Sequence, residues 1–242
     1  MSGYVKTEIN DSYAIVEFFH PSHNSLDSSL LNKLCDEIEV LDGNDNIKCI
    51  LLRSGGNRTF CAGANFDELK SIKNEKDGER FFSGFGNVIQ AMKNSSKIIV
   101  GRIQGKAVGG GVGLAAACDI AFATKYAAIR LSELSIGIGP FVIEPAVRRK
   151  LGITGVADLT LNPLTWKDAS WCLEKGFYSR VFESTELLDD FVLNYIRELS
   201  EYSLDALAEI KKMLWQGTDD WSELMRQRAK ISGKLVLKAD IK

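Results

Sequence analysis

The stretch at residues 105–119, GKAVGGGVGLAAACD, constrains this chain more than any other. It follows a β-like run at residues 97–104. It holds three consecutive glycines, Gly109, Gly110 and Gly111, and another at Gly113, before a small-residue run from Leu114 that reads as helical. Glycine reaches positive φ at little cost and lets another group approach the backbone closely. A strand that runs through such a turn into a helix leaves backbone N–H groups unpaired at the helix start. Those groups can receive developing negative charge. The turn is therefore read as one half of an oxyanion hole.

The 242 residues suit one large domain, or one domain with a helical appendage. A chain of this size buries a core without a metal or disulfide staple. With a net charge of −2, nothing suggests a nucleic-acid partner or an anionic membrane surface. The five cysteines, Cys35, Cys49, Cys61, Cys118 and Cys172, form no CxxC pair, and only two histidines are present. A zinc site is not expected, and reduced thiols suit a cytoplasmic setting. The N-terminus lacks the apolar core of a signal peptide. The longest uncharged apolar stretch, residues 107–118, is too short and too rich in glycine to span a bilayer.

Residues 5–9 and 13–19 alternate loosely around Asn10-Asp11-Ser12 and predict a β-hairpin. Leu30, Leu31, Leu34, Ile38 and Leu41 fall at helical spacing after Asp27 or Ser25 as N-cap, and Gly43 ends that helix. Residues 47–53 read as a buried strand, 81–92 as an amphipathic helix, and 120–123 and 128–131 as short strands. Pro140 opens another helical stretch. Residues 184–199, 203–215 and 219–231 read as helices, with Ser203 as an N-cap and Gly217 as a stop. A strand, a glycine-bearing turn and a helix occur at residues 47–67 and again at 97–117. Two such turns would lie side by side if their strands were parallel neighbours.

Several motifs fall away. Residues 109–114 resemble GxGxxG but carry Leu114 where the last glycine belongs. Residues 101–107 resemble a P-loop but are one residue short and end in Ala107, without the hydroxyl that holds magnesium. No GxSxG elbow is present, and His20 and His23, beside Pro21, read as solvent-facing or locally hydrogen-bonded. Two small-residue turns and one carboxylate remain. Glu133 follows a strand within a mostly apolar segment. Partial desolvation there would raise its pKa toward the range of a group that both takes and gives a proton. The position alone fits an ordinary surface glutamate equally well.

PSHN at 21–24, FCAGANF at 60–66, GKAVGGG at 105–111, LAAACD at 114–119 and Ser132-Glu133 with Gly137 together resemble the crotonase superfamily, the enoyl-CoA hydratase/isomerases. The resemblance runs over residues 4–237. It implies an α/β spiral of ββα units at residues 1–182 and a C-terminal helical oligomerisation region at 183–242, assembling as a homotrimer or hexamer. It implies an acyl-CoA thioester substrate, with coenzyme A as part of the substrate and no separate cofactor or metal. The backbone N–H groups of Ala64 and Gly110 would hold the thioester oxygen, and Ala62, Asn65, Phe66 and Asp67 would face CoA.

This chain departs from the family pattern at informative places. Hydratases carry a first glutamate where this chain has Gly113, while the second is present as Glu133. Phe141 replaces a glycine that lines the acyl pocket, and it also occupies the position of an Asp used by thioester hydrolases and dienoyl-CoA isomerases of the family. Gly113 and Phe141 are thus expected in the acyl pocket, with Glu133 as the single catalytic acid/base. The pattern resembles Δ3-Δ2 enoyl-CoA isomerases. A hydratase with an unidentified second water-holding group, and a non-catalytic acyl-CoA-binding homologue, are the alternatives. Glu144, the nearest spare carboxylate, reads as structural. The sequence stops at Lys242 where many relatives continue, which predicts a pocket that is more open or completed by a neighbouring subunit.

Overall fold

The computed structural model describes residues 2–239, so Lys242 lies outside the described residues. β1 (Tyr4–Asn10) and β2 (Tyr13–Phe19) form the expected antiparallel hairpin. β2 continues into a six-stranded sheet through β3 (Cys49–Ser54), β5 (Ile98–Ile103), β7 (Ile120–Thr124) and β10 (Arg180–Phe182), all parallel, in the order β1-β2-β3-β5-β7-β10. A second sheet has the order β4-β6-β8-β9, from β4 (Thr59–Cys61), β6 (Lys106–Val108), β8 (Ala128–Arg130) and β9 (Lys167–Asp168). Its first three strands are parallel.

The chain alternates between the sheets and then adds a helix. β3 and β4 lead to α2 (Phe66–Ser71) and α3 (Glu75–Asn94). β5 and β6 lead to α4 (Gly110–Ala117). β7 and β8 lead to a 3-10 turn (Glu133–Ile136) and α5 (Glu144–Leu161), which breaks at Gly152 with φ +66°. This is the ββα spiral of the crotonase fold. Each repeat moves one strand along in both sheets at once, so corresponding turns stack beside one another.

Every residue of β5 is buried, as a parallel strand covered on both faces requires. On one face Ile50, Leu52 and Ile99 meet α1 (Ser28–Asp42) and α3; on the other Cys49, Leu51, Ile98 and Val100 meet Leu188, Val192 and Ile196 of α7 (Thr185–Ser200). α1 has Asp27 as its N-cap, accepting from the Leu30 N–H, and Gly43 as its C-cap. α6 (Ala169–Glu174) precedes β10. α8 (Leu204–Leu214) starts at the expected Ser203 cap. Asp119 then receives the Trp215 Nε1–H (2.6 Å) and the Lys211 ammonium (3.1 Å), tying α8 to the end of α4. α9 (Trp221–Val236) lies along α3, with Trp221, Met225 and Ala229 in the main core. The helices beyond residue 183 therefore share their core with the strands before it.

Three sequence expectations change. Residues 106–108, read as part of the glycine turn, form β6, so the strand that delivers the glycines belongs to the second sheet. α4 begins at Gly110, ahead of Leu114. The helix expected from Pro140 begins at Glu144, with Pro145 in its first turn, where a missing N–H costs nothing.

Candidate active site

β4 and β6 are parallel neighbours, so the turns that follow them lie side by side. In the first, Gly63 has φ +90°, and a methyl on it would stand 2.9 Å from the Val108 carbonyl oxygen and 3.6 Å from the Gly110 nitrogen. Three hydrogen bonds strap this turn to the preceding loop. The Ala62 N–H donates to the His23 carbonyl (3.1 Å), the Leu26 N–H to the Gly63 carbonyl (2.8 Å) and the Asn65 N–H to the Leu26 carbonyl (2.9 Å). Among the described residues, the Ala64 N–H has no acceptor.

In the second turn Gly109 has φ +52° and ψ −120°, a conformation that excludes ordinary side chains. Its N–H donates to the Arg130 carbonyl (3.0 Å), and its carbonyl accepts from Val112 and Gly113. Gly110 is the first residue of α4, so its N–H has no earlier helical carbonyl to reach. Among the described residues it too has no acceptor. The glycines are demanded by close approach. A methyl on Gly110 would meet the Phe85 ring at 2.6 Å, and one on Gly111 would collide with the Cys61 carbonyl.

Glu133 reaches the same place through the spiral. Val108 pairs with Arg130 across β6 and β8, so the chain leaving β8 arrives beside the second turn. Glu133 Oε1 lies 2.9 Å from where a methyl on Gly109 would be. Its Oε2 is buried and, among the described residues, has no hydrogen-bond partner. Burial raises the carboxyl pKa from 4.5 to about 7, opposed only by a hydrogen bond from its own backbone amide. A group poised there can hold or release a proton at neutral pH.

The turns and the carboxyl open on one cavity of about 180 Å³. Leu69, Phe81, Phe82, Phe85 and Ile136 give it an apolar wall, and Glu133 is the only ionisable side chain lining it among the described residues. Of the residues expected here, Ala62, Ala64, Phe66, Gly110, Glu133 and Phe141 line the cavity. Asn65 and Asp67 do not. The Asn65 side chain caps α2 by accepting from the Asp67 and Glu68 N–H groups, and Asp67 is exposed in that first turn.

Gly113 is a correction: it lies outside the cavity wall. A methyl there would stand 2.6 Å from Ile143 Cγ2 and 3.3 Å from Ile89 Cδ1, and it is Ile143 that lines the cavity. There is no room for a glutamate at 113. Glu144 faces away and pairs with Arg228 of α9, which also donates to the Phe141 carbonyl (3.2 Å). Ser232 of α9 also lines the cavity, so the last described helix contributes to its wall.

Two supporting side chains were given no role of their own in the sequence reading, although Asn24 closes the PSHN motif. Asn24, buried with φ +56°, donates to the Gly55 (2.9 Å) and Thr59 (2.8 Å) carbonyls and accepts from the His20 N–H (2.9 Å). Gln104, also buried, donates to the Ser54 hydroxyl (2.9 Å) and the Thr59 carbonyl (3.1 Å). Together they fix the entry to β4. Their signal was faint: an asparagine, which tolerates positive φ, after Pro21, and a polar residue closing an apolar strand. His20 accepts from the Ser22 N–H (3.2 Å), and His23 is exposed and acts through its carbonyl.

Comparison with known proteins gives the same picture. The family model described as enoyl-CoA hydratase/isomerase matches residues 8–242. A Bacillus subtilis (strain 168) protein named as a probable enoyl-CoA hydratase is 27% identical over 214 residues, 87% of this chain and 81% of that protein. A peroxisomal Delta(3,5)-Delta(2,4)-dienoyl-CoA isomerase of Arabidopsis thaliana is 26% identical, covering 88% of this chain and 83% of its own. The crystal structure of an enoyl-CoA hydratase from Bacillus halodurans superposes with a TM-score of 0.88 at 24% identity, covering 96% of this chain and 95% of that one, and so shares the fold. With its spiral, its paired turns and a family match along nearly its whole length, this chain belongs to the enoyl-CoA hydratase/isomerase family of the crotonase superfamily.

Proposed function

We propose that this family member is an acyl-CoA enzyme of the Δ3-Δ2 enoyl-CoA isomerase type, with Glu133 as its single acid/base. The observation that carries this reading is the lone carboxyl, raised to about 7, in an apolar cavity beside two N–H groups without acceptors. The thioester oxygen sits between the Ala64 and Gly110 N–H groups. Glu133 removes the α proton, the two donors stabilise the enolate, and the same carboxyl returns the proton at the γ carbon. Donors aimed at such an oxygen contribute about 3–4 kcal/mol each. One carboxylate suffices because both transfers occur on one face of the substrate, where the group is already positioned. CoA passes over Ala62 and Phe66 toward Asn65 and Asp67 on the rim, and no further cofactor is required.

The closed position at Gly113 favours isomerisation over hydration, since Ile143 fills the space a water-holding glutamate needs. Exposed Leu134, Ile153 and Leu161 supply apolar surface for a homotrimer or hexamer. The cysteines, all free thiols, support a cytoplasmic setting.

The test supplies a 3-enoyl-CoA and a 2-enoyl-CoA in turn. Conjugated-thioester absorbance should grow from the 3-enoyl substrate, with kcat/KM climbing as pH rises through about 7 and Glu133 becomes the carboxylate base. Glu133→Gln should lower that rate by about 10³-fold while acyl-CoA binding persists. Loss of absorbance from the 2-enoyl substrate, with no gain from the 3-enoyl one, identifies a hydratase instead. Binding with no turnover of either identifies a non-catalytic homologue.

A further inference from the structure

Three serines in the helices of this chain settle their hydroxyls on a carbonyl one turn back. Ser71 donates to the Glu68 carbonyl (2.7 Å), Ser83 to Glu79 (2.7 Å) and Ser200 to Arg197 (2.8 Å). Ser232 in α9 does not. It is 1% exposed, it lines the cavity, and among the described residues its Oγ has no hydrogen-bond partner. A buried hydroxyl left unpaired opposes folding unless something pairs with it.

Its position is fixed by the next residue. Gly233 crosses α3 at Gly78 so closely that a methyl on Gly78 would lie 2.6 Å from the Gly233 Cα. Further along, Gly86 faces Met225, so α9 runs antiparallel to α3. The other end of the cavity is marked by Phe85, whose ring covers Gly110. At a rise of 1.5 Å per residue, the crossing at Gly78 lies about 10 Å along α3 from Phe85. Ser232 therefore lies toward the end of the cavity away from Phe85 and Gly110, the end that the distal part of an acyl chain would reach if its thioester lay at Gly110.

We infer that Ser232 is a specificity determinant that hydrogen-bonds a neutral oxygen, hydroxyl or keto, on the distal part of a short acyl chain. A hydroxyl side chain can donate to a keto group or accept from a hydroxyl. No lysine, arginine or histidine lines the cavity among the described residues, so a distal carboxylate would be buried uncompensated. A cavity of about 180 Å³ suits a short chain. The inference rests on the acyl-CoA reading above and narrows its substrate class to oxygenated short acyl-CoA thioesters.

Calorimetric titration with hexanoyl-CoA, 5-hydroxyhexanoyl-CoA and 5-oxohexanoyl-CoA tests it without requiring turnover. The wild-type protein should bind the oxygenated pair on the order of ten-fold more tightly than hexanoyl-CoA. Ser232→Ala should lose that preference while binding hexanoyl-CoA at least as tightly as the wild type, since the unpaired hydroxyl is gone. A purely structural serine would not move the two kinds of ligand in opposite directions. Equal affinities for all three in the wild type, or a preference that survives in Ser232→Ala, overturns the role of Ser232 and leaves the acyl-CoA reading intact. Binding of none of the three overturns the acyl-CoA reading and this inference with it.

Discussion

The two turns present the same kind of group, an unpaired backbone N–H, and hold it by different means. The first is strapped. Ala62, Gly63 and Asn65 bond through their backbones to residues 23–26, and the Asn24 and Gln104 side chains fix the approach. It tolerates an ordinary residue, Ala64, at the donor position. The second is wedged. Its glycines lie against Glu133, the Phe85 ring and the Cys61 carbonyl, and α4 behind it is almost wholly buried. Hydrogen bonds set one donor and close packing sets the other, so the two should fail differently under mutation.

The largest difference is electrostatic: a desolvated carboxyl lies against the second turn, and no carboxyl of the first lines the cavity. The folded protein keeps the Glu133 proton up to about pH 7, whereas the unfolded chain releases it near 4.5. The folded state binds more protons across that window, so stability falls as pH rises from about 4.5 to 7 and stays lower above it. Glutamine does not ionise. Glu133→Gln should therefore gain little over the wild type at pH 5 and about 3 kcal/mol at pH 8, while losing turnover. Urea unfolding of both proteins at the two pH values measures the gain. An equal gain at both would mean that the carboxyl is solvated and that the second turn faces no buried charge.

Packing gives the next effect. Gly111→Ala pushes a methyl into a backbone carbonyl of β4, which cannot swing aside as a side chain would. A loss of about 2–3 kcal/mol in thermal or urea unfolding is expected. Because the same carbonyl belongs to the strand that leads into the first turn, turnover should fall as well. A neutral result would show that the turns are less tightly wedged together than their geometry says.

The sequence revealed these turns unevenly, for physical reasons. Clustered glycines announce a close approach, so the second turn was legible from composition. Its strand was not: β6 is three residues long and sits between glycines, too short for a period of two to show. Gly113 was expected in the cavity only because the resemblance puts a glutamate at that position; α4 is apolar all round, so its own pattern could not show that this side meets Ile143. Ser232 failed for the opposite reason. α9 is amphipathic, and one inward-facing serine is indistinguishable by type from its solvated neighbours. Glu133 was visible as a residue, but its burial depends on β8 lying beside β6, which no local pattern encodes.

The smallest expected effect is the one that tests the strap. Asn24→Ala removes the bonds to the Gly55 and Thr59 carbonyls and the His20 N–H, and places a methyl-bearing residue at φ +56°. About 2 kcal/mol of stability should be lost, part from the hydrogen bonds and part from backbone strain. Asn24→Gly separates the two, since glycine accepts that backbone without strain. It should be more stable than Asn24→Ala yet lose a similar share of turnover, about ten-fold in kcat, because the Ala64 N–H is no longer aimed. If Asn24→Gly keeps full turnover, the backbone bonds to His23 and Leu26 set the first donor by themselves. The first turn would then be as self-sufficient as the second, and the contrast between a strapped and a wedged donor would reduce to a difference in packing alone.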